Sequence, residues 1–266
     1  MSGDAAAPLR PAPGRRELVL ILGLVFVLNL TVGAALEVLS PRLGLLATEV
    51  LFLAFPVVAV VRLFYLEPRS VLPLRPVEAR YFATAIVGSA CLNHLLGLYG
   101  AWQERFAPTP EWVRAVFANL FEARSPAEFA LVLLCIACVP ALCEEILFRG
   151  FVQAGVMARA SSRTAGIAFV ALLFAAFHLD PWRFTPLFVL GLFFSWLRMQ
   201  SGSLWPPIVA HAVNNALTIG LAEAGWLSDT SAPGTSLTAL LAVSGCAAAI
   251  ALSRPRAVRG AAGRML

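Results

Sequence analysis

Apolar residues run along this chain in eight long blocks, roughly 17–39, 43–64, 81–101, 127–158, 164–179, 184–199, 204–222 and 236–252, parted by short stretches where Arg, Pro and Gly collect. Each block outruns the roughly 4–8 residues of a buried strand, so each predicts a helix. Most are apolar all round, which suits a helix with apolar neighbours on every side. About 20 such residues cross a hydrocarbon core. The pattern predicts an all-α polytopic membrane protein with about eight transmembrane helices. Between the third and fourth blocks, Glu111 to Glu122 (EWVRAVFANLFE) has apolar residues at helical spacing and charges at its margins, which predicts a short interfacial helix. Ser125-Pro126-Ala127-Glu128 is a capping box with Pro at the first helical position, so a helix starts there. Ser203, ahead of Pro206 and Pro207, marks another start.

Two blocks are short. Thr164 to His178 is 15 residues, about 22 Å at ~1.5 Å per residue, against a hydrocarbon core of about 30 Å. Asp180-Pro181-Trp182 then reads as a turn, and the next run, to Met199, is no longer. The two predict a hairpin whose turn stops within the membrane, which is tolerated only where protein or a wet cavity surrounds it.

Composition agrees. Of 266 residues, 59% are hydrophobic and 13% charged, half the charge of roughly 25% in a soluble domain. A water-soluble globule is excluded, and so is a disordered chain. The pI near 9.3 does not point to nucleic acid here. All 20 basic residues are Arg, and they sort by loop. With the N-terminus inside, fifteen fall on inner segments, and five (Arg42, Arg105, Arg114, Arg124 and Arg183) on outer ones. That asymmetry predicts both termini on the cytoplasmic side and an even number of spans. The domain reading is a disordered cytoplasmic tail over 1–16, one transmembrane helical domain over 17–252, and a basic cytoplasmic tail over 253–266. The five cysteines lie in apolar runs and read as small buried hydrophobes.

Ionisable groups within such runs are costly and mark function. Three places hold them. In Cys143-Glu144-Glu145-Ile146-Leu147-Phe148-Arg149, Glu145 and Arg149 stand at i,i+4 with the acid first, the better order for a helical ion pair. Glu144 points about 100° away and has no such partner, so one acid is neutralised locally and the other is free to act as a general base. Pro140 should kink the helix one turn earlier. In Phe174-Ala175-Ala176-Phe177-His178, Phe174 lies one turn before His178 and can wall one side of its ring. In His211-Ala212-Val213-Asn214-Asn215, His211 and Asn215 share a face, fit either to bind a ligand or to tie helices together. Elsewhere Asn93 and His94 read as interhelical hydrogen bonds, Glu37 and Glu49 as acids near span ends or in packing contacts, and Asp180 as the cap of the buried turn.

EExxxR, FxxxH and HxxxN, in that order on successive hydrophobic helices, resemble the CPBP family of intramembrane proteases. This family includes the CAAX prenyl proteases and the Abi-type and bacteriocin-processing proteins. The resemblance covers about Pro140 to Leu221, within a core read as about 127–222, and Glu144, Glu145, Arg149, Phe174, His178, His211 and Asn215 all match. It implies that Glu144 activates water, that His178 works beside it, and that His211 and Asn215 hold the scissile carbonyl and its oxyanion. Glu145 and Arg149, with Phe174, would shape the site. The implied activity is hydrolysis of a peptide bond near the C-terminus of a membrane-anchored or lipidated client, in a bacterial inner membrane. The partners are that client and the lipid bilayer, with no nucleic acid. A metal is open: Glu144, His178 and His211 would make a three-ligand Zn site, or the enzyme is glutamate-type and holds none. The alternative is a non-proteolytic scaffold or bacteriocin-immunity protein of the same fold. A small transporter ranks below both, since no repeats or paired broken helices are visible.

Overall fold

The computed structural model describes residues 9–64, 66–223 and 235–253. Among them every regular element is helical, apart from one isolated bridge between Arg10 and Leu66. Ten helices follow in order: α1 (Arg15–Leu39), α2 (Pro41–Leu63), α3 (Pro68–Val71), α4 (Ala79–Gln103), α5 (Glu111–Phe121), α6 (Pro126–Met157), α7 (Arg163–Phe177), α8 (Phe184–Ser201), α9 (Trp205–Glu223) and α10 (Thr235–Ser253). The eight apolar blocks are the eight long helices, and the amphipathic segment is α5. Among the described residues, α1, α2, α4 and α6 are long and apolar enough to cross a membrane. α7 falls short in length at 15 residues, and α9 carries two prolines, a histidine and two asparagines in its 19.

Of the expected disordered tail, residues 1–8 lie outside the described residues. From Leu9 the chain is docked: Arg10 pairs with Glu17 at 2.8 Å, and Pro13 O accepts from Arg159. Of the expected basic tail, residues 254–266 also lie outside.

α6 is the hub. It packs on α2 on one side and on α7, α8 and α9 on the other, while α4 packs on α9 and α10. One apolar cluster joins α1, α2, α6 and α7 through Val25, Val57, Leu147, Phe151 and Phe174. A smaller one joins α4, α8 and α9 through Ala85, Phe194 and Ala210. α7 and α8 form a hairpin at close range, since a Cβ on Gly191 would stand 3.0 Å from the Ala171 Cα. Asp180 caps the turn as expected: its Oδ1 accepts from the backbone N–H of Trp182 and of Arg183. Leu179 turns the chain at φ 50°, a conformation that costs a branched residue. α5 and the end of α4 cover this turn, with Arg183 over the Phe117 ring at 4.0 Å and Gln103 Nε2 donating to Trp182 O.

The predicted start at Ser125 holds in detail. Ser125 Oγ accepts from Glu128 N, and the Glu128 carboxylate reaches back, to the Arg124 N–H. α6 is not one smooth α-helix. It widens into π-helical turns over Leu133–Cys138 and Ile146–Val152, on either side of the two glutamates. α2 has a comparable turn over Glu49–Ala54. Such turns gather at functional sites, and prolines follow two of them, Pro56 and Pro140. A proline has no N–H for the carbonyl four residues back, which lets the helix re-register there.

Candidate active site

α6 builds the buried floor. Glu145, Arg149 and Gln153 recur every fourth residue and face inward, Glu145 and Arg149 with no solvent exposure. Arg149 Nη1 donates to Glu145 Oε1 at 2.7 Å, the i,i+4 pair the sequence predicts, and Nη2 donates to Gly191 O at 3.3 Å. One turn on, Gln153 Nε2 donates to Ser195 O. The stripe thus ties α6 to two successive turns of α8. The guanidinium lies over the rings of Phe174 and Phe194, at 4.2 and 5.2 Å. A buried Arg survives only with a counter-charge and donors used; here aromatic faces supply the rest. Arg149 belongs to this interior and so carries no weight as a loop arginine in the charge asymmetry.

Glu144 takes a different environment. It faces away from Arg149, and its buried Oε2 has no hydrogen-bond partner. His178 Nε2 stands 3.7 Å from that oxygen. His178 ends α7, where its Nδ1 meets Phe174 O at 2.8 Å. A carbonyl only accepts, so Nδ1 carries the proton, and in the neutral ring Nε2 is a bare acceptor.

α9 brings the third group. His211 Nδ1 contacts Glu145 Oε1 at 2.9 Å, the same oxygen that receives Arg149. Its ring stacks on Phe194 at 5.0 Å and meets Phe174 edge-on at 5.9 Å. Phe174 also walls His178 at 4.8 Å, so one ring separates and orients both imidazoles. Asn215 Nδ2 donates to Ile136 O at 3.2 Å. Ile136 lies four residues before Pro140, so its carbonyl lacks the usual helical partner, and Asn215 supplies one from the next helix. Asn214 turns to α4 instead: Asn93 Nδ2 donates to Asn214 Oδ1 and to Thr218 Oγ1. The interhelical role read for Asn93 is thus present.

The predicted residues therefore gather in two linked groups. Glu144 meets His178; Glu145 holds Arg149 and His211; Phe174 lies between the rings. Asn215 sits at the α6–α9 seam with one amide proton given to backbone. Sequence reasoning left Glu145 to shape the site, but its contact with His211 makes it that ring's orienter. It gave Glu49 no task, although Glu49 is buried beside α6. The available signal was an acid in mid-helix rather than at an end. Among the described residues no three His, Cys, Asp or Glu are gathered to hold a metal ion. Glu144 Oε2 and His178 Nε2 face each other, while His211 gives its Nδ1 to Glu145 and keeps Nε2 free.

Residues 126–217 match the family described as Type II CAAX prenyl endopeptidase Rce1-like. This is about a third of the chain, from the start of α6 into α9, and it includes all seven motif residues. The resemblance carried by the three motifs is borne out over that stretch. No curated protein and no solved structure matches the chain.

Proposed function

With residues 126–217 as a CAAX-protease-type core, we propose that this chain is an intramembrane endopeptidase. It hydrolyses a peptide bond near the C-terminus of a membrane-anchored or lipidated client. One observation carries the reading: Glu144 Oε2 is buried, unpartnered and 3.7 Å from His178 Nε2, while the adjacent acid is already neutralised by Arg149.

Both facing atoms are acceptors. One water reaches both at about 2.8 Å, giving one proton to Glu144 and the other to His178. Its lone pairs then point away from both, toward an incoming carbonyl. As the water oxygen bonds to the carbonyl carbon, Glu144 takes the proton and the carbonyl oxygen becomes an oxyanion. When the C–N bond breaks, that proton leaves on the amine, and the acid product is released. His211 Nε2 and the second amide proton of Asn215 are assigned to the oxyanion. His211 donates there as an imidazolium, with Glu145 behind it as the carboxylate behind a protease histidine. Phe174 and Phe194 keep the rings in place and bulk water out.

In this reading all eight long helices cross the membrane, both termini are cytoplasmic, and the α7–α8 turn lies within the bilayer, under α5. The bacterial inner membrane is the proposed location. The loop arginines other than Arg149 support the orientation.

The test is cleavage in liposomes of an internally quenched peptide ending in a prenylated Cys-aliphatic-aliphatic-X tail. Glu144→Gln is expected to lower turnover by about 10²–10⁴-fold with abundance and melting unchanged. A variant as active as its parent would remove Glu144 as the base. Stringent chelation is expected to leave cleavage intact; loss restored by Zn²⁺ would replace the glutamate-type reading with a metal-dependent one.

A further inference from the structure

A basic cleft lies at the end of α8 away from the α7–α8 turn, where residues 72–78, between α3 and α4, meet the α8–α9 turn. Its volume is about 620 Å³, and Arg75, Glu78, Tyr81 and Ser201 are among its lining residues. Backbone contacts set its frame. Gly202 closes α8 in the left-handed region, at φ 66°, and its N–H donates to Arg198 O. Gly202 O in turn accepts from Arg75 Nε at 2.9 Å, and Ser203 Oγ donates to Arg75 O at 2.7 Å. A Cβ at position 202 would collide with Arg75 Nη2, so the bare glycine is what seats this guanidinium on the turn. Among the described residues, the Arg75 Nη atoms and the whole Arg198 guanidinium have no protein acceptor, and Arg198 Nε is buried. The acid in the lining, Glu78, already holds Arg80 at 2.7 Å. Two arginines are thus fastened to one turn with no carboxylate of their own, and their charges act on each other.

A cation at the C-terminal end of a helix is favourable, but one would serve α8; a second beside it adds repulsion. An anion between the two turns that repulsion into attraction. Guanidinium forks match the oxygens of a phosphate, which they meet through paired N–H donors. The cleft borders Ala79, the first residue of α4, a helix long and apolar enough to cross a membrane. The end of such a span lies at headgroup level, where basic pockets between helices take anionic lipid. Leu74, next to Arg75, is exposed and offers an apolar surface to an acyl chain. We propose that this cleft binds a phosphate-bearing anion, the headgroup of an anionic phospholipid, between Arg75 and Arg198. The site is separate from Glu144 and His178 and does not depend on what the chain hydrolyses. α8 connects the two regions: its Gly191 and Ser195 carbonyls hold Arg149 and Gln153, and its last turn holds the headgroup. A bound lipid would brace the helix on which the buried stripe of α6 rests.

The test uses the full chain, stripped of lipid, in detergent micelles, with binding followed by native mass spectrometry and by melting. Phosphatidylglycerol is titrated against phosphatidylcholine with the same acyl chains, and inorganic phosphate is titrated in parallel. The parent should bind phosphatidylglycerol saturably and melt higher with it, and respond little to phosphatidylcholine. Arg75→Gln and Arg198→Gln should each weaken that binding by about 10-fold. Arg124→Gln, which removes an exposed arginine paired with Glu122, should leave it unchanged. Arg75 is itself exposed, so Arg75→Gln still decides the matter if Arg198→Gln fails to fold. Saturable binding of inorganic phosphate at these two arginines, with no binding of phosphatidylglycerol, overturns the lipid and assigns the cleft to a soluble phosphate. No saturable binding of either, equal binding of the two lipids, or equal weakening by Arg124→Gln overturns the site. So does binding that neither Arg75→Gln nor Arg198→Gln weakens; the two arginines would then serve only to close α8.

Discussion

α1 and α6 are nearly equal in mean hydropathy, 2.5 and 2.3, yet 17% of the apolar stretch of α1 is buried against 50% of that of α6. α1 turns Val19, Leu20, Val38 and Leu39 outward. α6 turns Glu144, Glu145, Arg149 and Gln153 inward. Hydropathy measures how gladly a helix leaves water; it is silent on whether lipid or protein receives it. The polar groups decide that. A helix whose mid-span polar groups are met by its own backbone, as Asn29 and Thr31 are, can face lipid, where packing against protein gains little. A helix carrying two acids, an arginine and a glutamine must find partners, and α7, α8 and α9 supply them. The N-terminal helices form a wall and the C-terminal ones a site, and the turn at Glu49 is where the wall packs on α6.

The contrast predicts graded effects. Arg149→Met takes the guanidinium from the fully buried Glu145 and should cost about 3–5 kcal/mol, read as unfolding in detergent. A near-neutral result would mean that water reaches the stripe and that α6 is no more protein-enclosed than α1. Asn215→Ala uncovers the Ile136 carbonyl and should cost about 1–3 kcal/mol; cleavage should fall as well, because the helix bearing His211 loses its anchor to α6. Asn93→Ala removes the α4–α9 bonds to Asn214 and Thr218 and should cost about 0.5–1.5 kcal/mol, with the peptide cleaved at close to the parent rate. Leu20→Val or Val38→Ala, on the outward face of α1, should stay within about 0.5 kcal/mol. A larger loss there would show that α1 buries this face against something else.

Much of this was legible in the chain. The eight apolar runs give the long helices to within a few residues, because a membrane helix needs a minimum length and Arg and Pro mark its ends. Glu145 with Arg149 follows from helical spacing, and the cap at Ser125 from its box. What escaped is what depends on a neighbour. The π-helical turns in α2 and α6 are choices of hydrogen-bond register that packing decides, and nothing local marks them except the proline that follows two of the three. The partner of His211 is Glu145 rather than Glu144 because α9 packs along the 133–145 stretch of α6 with His211 set against Glu145, a matter of docking angle. Glu49 looked like one more acid near a span end. Its burial appears only when its turn is set against Val139–Glu145, more than 80 residues later.

Outside the hairpin, the loop at Glu104 has a simpler electrostatic life. The Thr109 hydroxyl and amide, with Arg114 nearby, hold its carboxyl below the usual range. They fix the corner from which α5 reaches over the α7–α8 turn.

Pro140 and Asn215 have a consequence for heredity. The proline leaves the Ile136 carbonyl open, and the asparagine exists at its position partly to fill it. Alanine at 140 would restore an N–H to the helix and make the asparagine's bond redundant; a leucine at 215 would strand the carbonyl while the proline remains. At the Ile136 carbonyl the two changes offset one another, while the oxyanion role proposed for Asn215 stays a separate constraint on that position. The two positions, 75 apart in the sequence, should therefore drift through descent as a linked couple, each constraining which letters the other can accept.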